Sequence, residues 1–244
     1  MKKIIKYLFL LTGGSFILAS CNDFLDREPL DSVTPDNFFF TENDLAAYAV
    51  KHYNFTTHEG FNAGIWKNDN ATDNQAATDY DKKWIPGQWK VPEAYDNPAS
   101  NDPWYFSTIR EANYFLETVV PRFEKGEIEG SETNIKHYIG EMYFLRAKNY
   151  LSKLETFGDF PIIKNTLPDE SESLIQASKR APRYKVAHFI LEDLDQAISL
   201  LTNNISGGKN RITKNAALLL KSRAALFEAS WLTYHKGTAL VPGG

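Results

Sequence analysis

The 244-residue chain carries 14% aromatic residues, a 43% hydrophobic share and a formal net charge of −4. That composition excludes wholesale disorder, and a mildly acidic charge does not steer a protein toward nucleic acid. A single cysteine, Cys21, excludes an intrachain disulfide and any multi-cysteine zinc or iron–sulfur site.

Residues 1–20 read as a lipoprotein signal peptide. Met1-Lys2-Lys3-Ile4-Ile5-Lys6 is a positive start, and the apolar run Tyr7 to Leu18 is broken by Thr12-Gly13-Gly14-Ser15. It is too short and too interrupted for a permanent membrane span, which takes roughly 20 apolar residues. Leu18-Ala19-Ser20-Cys21 then has the layout of a lipobox: an aliphatic residue, two small residues that fit a peptidase groove, and a thiol acceptor. Lipidation at Cys21 follows as an expectation, since acyl chains anchor at about 0.8 kcal/mol per buried CH₂. The polar stretch from Asn22 to Pro29 would serve as the tether.

A short helix is predicted over 41–55, opened by Thr41-Glu42-Asn43-Asp44, where the threonine hydroxyl can cap and the acids suit the positive end. Leu45, Tyr48, Ala49 and His52 form its inner face. Periodicity is then lost over 56–101, a stretch holding Gly60, Gly64, Pro86, Gly87, Pro92 and Pro98 among many Asn and Asp residues. Trp66, Tyr80, Trp84, Trp89 and Tyr95 lie in the same stretch, which reads as a long aromatic loop region.

Four long helices are expected over 102–244. The first starts at Asp102-Pro103, an N-cap followed by proline, and carries Ile109, Ala112, Leu116 and Val119 to a stop at Pro121. The second starts near Thr133 with an apolar stripe wide enough to need neighbours on two sides, and Gly158 ends it. Phe160-Pro161-Ile162-Ile163 continues extended. The third begins around Pro182 and buries Val186, Phe189, Ile190, Leu194, Ala197 and Leu201. The fourth begins at Thr213 with Ala217, Leu220, Ala224, Phe227 and Trp231 on one face, and Ala216, Ala225 and Ala229 allow close helix contact. Starts are equally spaced within the two pairs, Asp102 to Thr133 and Pro182 to Thr213, which hints at repeated helical hairpins a little shorter than the tetratricopeptide period of about 34 residues.

Several of these segments together resemble the SusD/RagB family of surface nutrient-uptake lipoproteins. They are Cys21-Asn22-Asp23-Phe24-Leu25-Asp26 with Pro29; Asp31 to Tyr53 with Phe38-Phe39-Phe40-Thr41-Glu42; Ile109-Arg110-Glu111-Ala112-Asn113-Tyr114-Phe115-Leu116-Glu117; Gly140 to Ala147; Phe157-Gly158-Asp159-Phe160-Pro161-Ile162; and Arg211-Ile212-Thr213-Lys214-Asn215-Ala216-Ala217. The resemblance implies an all-α fold with long loops and tetratricopeptide-like helix pairs. It also implies an outer-membrane lipid anchor, glycan binding, and partnership with a SusC-type TonB-dependent transporter. Family members are about twice this long, and the chain stops at Val241-Pro242-Gly243-Gly244 in what reads as a loop. Residues 21–244 are therefore expected to be the N-terminal part of one SusD-like domain, incomplete at its C-terminus. In the family the sugar site also draws on residues that would lie beyond Gly244.

Chemistry leaves few marks on the sequence. There is no G-x-S-x-G elbow, H-E-x-x-H, P-loop or Rossmann glycine pattern. His52, His58, His137, His188 and His235 include no i, i+4 pair, so no metal or cofactor is expected. Asp69-Asn70-Ala71-Thr72-Asp73 lacks the alternation and glycine of a calcium loop and reads as a surface turn. Glu192, Asp193 and Asp195 read as the solvated side of the third long helix. The candidate glycan-binding residues are Trp84 and Trp89 around Pro86-Gly87, with Trp66 and Tyr95 behind them, because indole and phenol faces suit the C–H face of a pyranose while Asn and Asp take up hydroxyls. Packing of the loop on itself is the competing fate of the same rings. Three functions stay open: a glycan-binding lipoprotein, which is not an enzyme; a lipid-anchored protein-binding scaffold; and an α-rich glycoside hydrolase.

Overall fold

A computed structural model of the chain describes residues 38–53, 104–205 and 210–241. The chain divides into two units, Met1–Phe38 and, with all the described helices, Phe39–Gly244. Its described residues form six helices: α1 (Glu42–Lys51), α2 (Ser107–Lys125), α3 (Glu132–Phe157), α4 (Ser171–Ala177), α5 (Arg183–Leu200) and α6 (Lys214–His235). Among the described residues, isolated bridges pair Thr41 with Glu129 and Phe160 with Ala181. The fold is all-α, as expected.

The start of α1 follows its sequence signal. The Thr41 hydroxyl accepts from the Asp44 N–H at 3.3 Å while the Asp44 carboxylate accepts from the Thr41 N–H at 2.9 Å, a reciprocal capping box. Leu45, Tyr48 and Ala49 are buried. Just before the helix, Phe39 takes a left-handed backbone with φ 71° yet is fully buried. Such a conformation costs a non-glycine residue of order 1 kcal/mol or more. Edge contacts of its ring with Tyr48 and Phe115, at 5.0 and 5.3 Å, offset that cost.

Both boundaries of α2 depart from the sequence reading. The helix starts at Ser107, and Trp104 to Phe106 are not helical. Asp102 and Pro103 lie outside the described residues. The physical reason is aromatic packing: Trp104 sets its edge against Phe157 and Phe160, both at 4.8 Å, and Phe106 stacks on Phe160 at 4.9 Å. Tertiary contact here overrides a local cap signal. At the other end Pro121 sits inside the helix, which runs on to Lys125. A proline removes one backbone hydrogen bond and crowds the preceding turn, and the helix closes one turn later. Gly126, at φ 71°, donates its N–H to the Phe123 carbonyl, and Glu127 donates to that of Arg122, the paired bonds of a Schellman ending. The two hairpins also lose their equal spacing, since starts fall at 107 and 132 in one and 183 and 214 in the other.

Helix α3 is the central element and packs against α1, α2 and α5, with a lesser contact to α6. Its neighbours on several sides match its wide apolar stripe. Gly140 marks its closest approach to the end of α5: a β-carbon there would stand 3.0 Å from Leu201 and 3.1 Å from Leu200. The loop before α3 is fixed by α1, whose Glu42 carboxylate accepts from the Ser131 N–H at 2.7 Å. Val186, Phe189, Ile190, Leu194, Ala197 and Leu201 are all buried, as α5's periodicity requires. Helix α4, missed in the sequence, buries none of its seven residues and so leaves no apolar period to read.

Polar side chains tie this core together. The Arg146 guanidinium meets Asp193 through two bonds of 2.7 Å and donates a third, 2.8 Å, to the Asn113 side-chain oxygen. Asn113 in turn donates to the Ile163 and Asn165 carbonyls at 2.8 and 3.3 Å. Tyr150 accepts from the Ile163 N–H at 2.8 Å and donates to its carbonyl at 3.2 Å, and burial pushes its hydroxyl up to about 12. The reading of Asp193 as solvated is thus corrected: it is buried, whereas Glu192 and Asp195 are exposed. Burial pushes the Asp193 carboxyl upward, and the Arg146 hydrogen bonds pull it back.

Removing one partner of a buried pair strands the other, at a cost of about 3–5 kcal/mol. Asp193→Ala should therefore destabilise by that amount in urea denaturation, and the double change Arg146→Met with Asp193→Leu by much less. Wild-type stability of Asp193→Ala would show that the pair does not organise the core.

Candidate binding cleft

A cleft of about 320 Å³ opens where the start of α2, the extended run after α3 and helix α4 converge. This is the small end of the usual range of ligand pockets, about 300–1,000 Å³. Trp104 and Phe106 supply aromatic wall, Leu167 and Leu174 aliphatic wall, and Arg110, Asn165 and Ser178 polar atoms. Asn113 closes the floor, where its amide is already committed to Arg146 and to the extended run. The floor is thereby rigid, because moving it would break the buried network.

The charged side chain that lines the cleft among the described residues is an arginine. Arg180, in the turn between α4 and α5, lies over the Trp104 ring at 4.8 Å from its centroid. Arg110 projects from the first turn of α2 and is exposed. Neither arginine makes an ion pair among the described residues, and no Asp or Glu lines the cleft among them. Trp104 is less open for stacking than its position suggests. One face carries Arg180, and two phenylalanine rings crowd it at 4.8 Å.

The carboxylates of the interior are occupied elsewhere. Glu141, fully buried on α3, takes the Arg211 guanidinium through Nε, at 2.9 Å, and Nη2, and accepts from the Tyr53 hydroxyl at 2.7 Å. The Thr202 N–H donates to His137 Nδ1 at 3.2 Å, which leaves the ring proton on Nε2, 3.2 Å from Glu141 but poorly aligned with it. Glu228 on α6 accepts from Arg183 Nε and Nη2 at 3.0 and 2.8 Å. The Arg183 guanidinium lies 4.0 Å over Trp231. Each of these carboxylates is held by a fork and is not poised for proton transfer. Among the described residues, no three or more His, Cys, Asp or Glu side chains converge on a metal position.

Cys21, Trp66, Trp84, Trp89 and Tyr95 all lie outside the described residues, as do Asp69 to Asp73. The cleft residues that the sequence reading missed, Trp104, Arg110, Asn165 and Arg180, had one usable signal. Trp104-Tyr105-Phe106 continues the aromatic run directly, and three rings in a row do not suit the exposed first turn of a helix.

Comparison with known proteins gives the family. Residues 23–226 match a family model for SusD-like proteins, described as starch-binding and associating with the outer membrane. The chain belongs to the SusD-like family. Among its relatives, SusD-like protein P38 of Formosa agariphila is 27% identical over 203 residues, covering 81% of this chain and 37% of that protein. SusD-like protein P25 of the same organism is 23% identical over 243 residues, 95% of this chain and 44% of the relative. A crystal structure of a SusD-like protein from Bacteroides fragilis superposes with a TM-score of 0.60 at 26% identity, covering 89% of this chain and 41% of that one. The chain thus spans less than half the length of these SusD-like relatives.

Trp104 and Arg180 differ in what they give the fold. Trp104→Ala removes half-buried ring contacts and should cost about 2 kcal/mol. Arg180→Ala removes one exposed cation–π contact and should cost under about 1 kcal/mol. Urea denaturation of both variants checks this, and equal losses would show that Arg180 is structural.

Proposed function

We propose that the protein is a lipid-anchored, outer-membrane glycan-binding protein that captures oligosaccharides and passes them to a SusC-type TonB-dependent transporter. The observation that carries this reading is the family match across residues 23–226, whose family description names starch binding and outer-membrane association. The Trp104 cleft is consistent with it, as a small concave site on a rigid helical base with aromatic and amide groups in its walls. The proposal assigns binding and no catalysis, in keeping with a family description that names binding alone.

In this reading Cys21 is the lipidated N-terminus of the mature chain. Attachment in this proposal rests on acyl chains; no described helix is long and apolar enough to cross a membrane. Wild type should incorporate a tagged fatty acid, fractionate with outer membranes and co-purify with a TonB-dependent transporter after mild solubilisation. Cys21→Ala should do none of these. Equal labelling of the variant, or release of wild type as a secreted protein, would overturn the anchor.

The aromatic loop supplies the second half of the proposal. Trp84 and Trp89 stack on sugar rings, with Trp66 and Tyr95 supporting them. Replacing Trp84 or Trp89 by Ala should cost about 1 kcal/mol of oligosaccharide affinity each, on the scale of one lost aromatic contact. Calorimetry alongside unchanged melting temperatures checks this. Unchanged affinity, or a loss of stability that accounts for the weaker binding, would assign both rings to packing.

A further inference from the structure

We infer that the Trp104 cleft takes an acidic saccharide, one bearing a carboxylate or a sulfate ester, with Arg110 and Arg180 as its anion-binding residues. The inference rests on the glycan-binding reading above and names the ligand class within it.

Three observations lead to it. First, the one charged side chain that lines the cleft among the described residues is Arg110, and Arg180 lies against the Trp104 ring, whereas the Glu117 carboxylate near the rim is occupied, accepting from the Thr166 N–H and hydroxyl at 2.9 and 2.7 Å. A neutral sugar is ordinarily held by a mixture of acceptors and donors, because each hydroxyl both donates and accepts. Guanidinium groups only donate, so they suit a ligand that only accepts. Second, Arg180 is preorganised. Its guanidinium is held 4.8 Å over an indole that Phe157 and Phe160 fix edge-on. Its N–H groups make no ion pair among the described residues and can meet an oxyanion in a bidentate bond. Third, the indole is largely taken up by these contacts, so the cleft offers less open aromatic surface for a neutral pyranose. Affinity then has to come from charge-assisted hydrogen bonds.

The protein as a whole carries −4. Its overall field therefore does not draw an anion in from a distance, and selectivity must arise on contact. This distinguishes the cleft from a basic patch that collects any polyanion.

The test uses the full chain and four probes of equal length: tetragalacturonate, a carrageenan tetrasaccharide, maltotetraose and cellotetraose. Calorimetry should show at least one acidic probe binding tenfold or more tighter than both neutral ones. The preferred acidic probe tells carboxylate from sulfate ester recognition. Arg110→Gln and Arg180→Gln should each weaken that probe about tenfold at unchanged melting temperature, and the double variant should erase the preference. Arg180→Lys should restore only part of the affinity, since an ammonium keeps the charge and loses the fork. Neutral probes binding as tightly as acidic ones, or arginine variants that keep full acidic binding, would overturn the inference and leave glycan binding standing. No binding of any probe would overturn both.

Discussion

The contact on which the arrangement depends is the buried Arg146–Asp193 pair. Arg146 rises from the centre of α3, Asp193 from α5, and the Asn113 amide from α2 completes the set at 2.7 to 2.8 Å. The Asn113 amide N–H groups then reach the extended run at Ile163 and Asn165. Three helices and a loop are thereby set in one register. A buried ion pair adds little net stability, because removing two charges from water costs about what their attraction returns. Its effect is exclusion: any sliding of α3 against α5 would strand a charge in an apolar core, so one packing is selected over near neighbours.

The same device recurs at both ends of the bundle. Glu141 gathers Arg211 and Tyr53, and Tyr53 accepts the Ile212 N–H at 3.0 Å, so α1, α3 and the approach to α6 meet at one carboxylate. Burial and the neighbouring Glu141 charge push the Tyr53 hydroxyl far upward, which keeps it a proton donor to that carboxylate. Glu228 and Arg183 clamp α6 to the start of α5, whose first N–H donates to Asp159 at 2.8 Å. This clamp matters because α6 is thinly packed. Leu219 and Leu226 are 74% and 68% exposed, and Ala225 and Ala229, read in the sequence as helix-contact positions, face outward as well. With few buried apolar contacts of its own, α6 owes its placement to the clamp, the Trp231 ring beneath Arg183, and the Thr213 cap on the Ala216 N–H.

What the sequence disclosed divides along physical lines. Elements whose packing face matches their own periodicity were legible: α1, the body of α3, all of α5 and the start of α6. Three boundaries failed: α1, expected to reach residue 55, ends at Lys51, and both ends of α2 moved. At Trp104 to Phe106, rings were drawn to Phe157 and Phe160, and at Pro121 the helix kept its course until a glycine could close it. Buried polar residues were the hardest to read. Asp193 has the same appearance in sequence as its exposed neighbours Glu192 and Asp195, and only the approach of Arg146 from another helix tells them apart. Segments that carried the family resemblance, such as those containing Asn113, Arg146, Asp159 and Arg211, hold these buried contacts. The resemblance was therefore a signal of architecture before it was one of ligand chemistry, and the cleft, assembled from three separated segments, left no comparable trace.

That division bears on how specificity can arise within this architecture. Where an arginine meets a carboxylate inside the fold, its fork is saturated and its charge is cancelled, as with Arg146, Arg183 and Arg211. Arg110 and Arg180 stand on the same framework without such partners among the described residues, and the framework beneath them is stiff because Asn113 and Phe160 are fixed from behind. Arg180, held against the Trp104 ring, has already lost part of the side-chain freedom that binding would otherwise cost, about 0.5–1.5 kcal/mol for an immobilised long side chain. Changing the residues at the mouth of the cleft would alter which ligand is accepted without disturbing the buried pairs. Fold and selectivity are carried by chemically similar residues in separate places, so the second can vary while the first is kept.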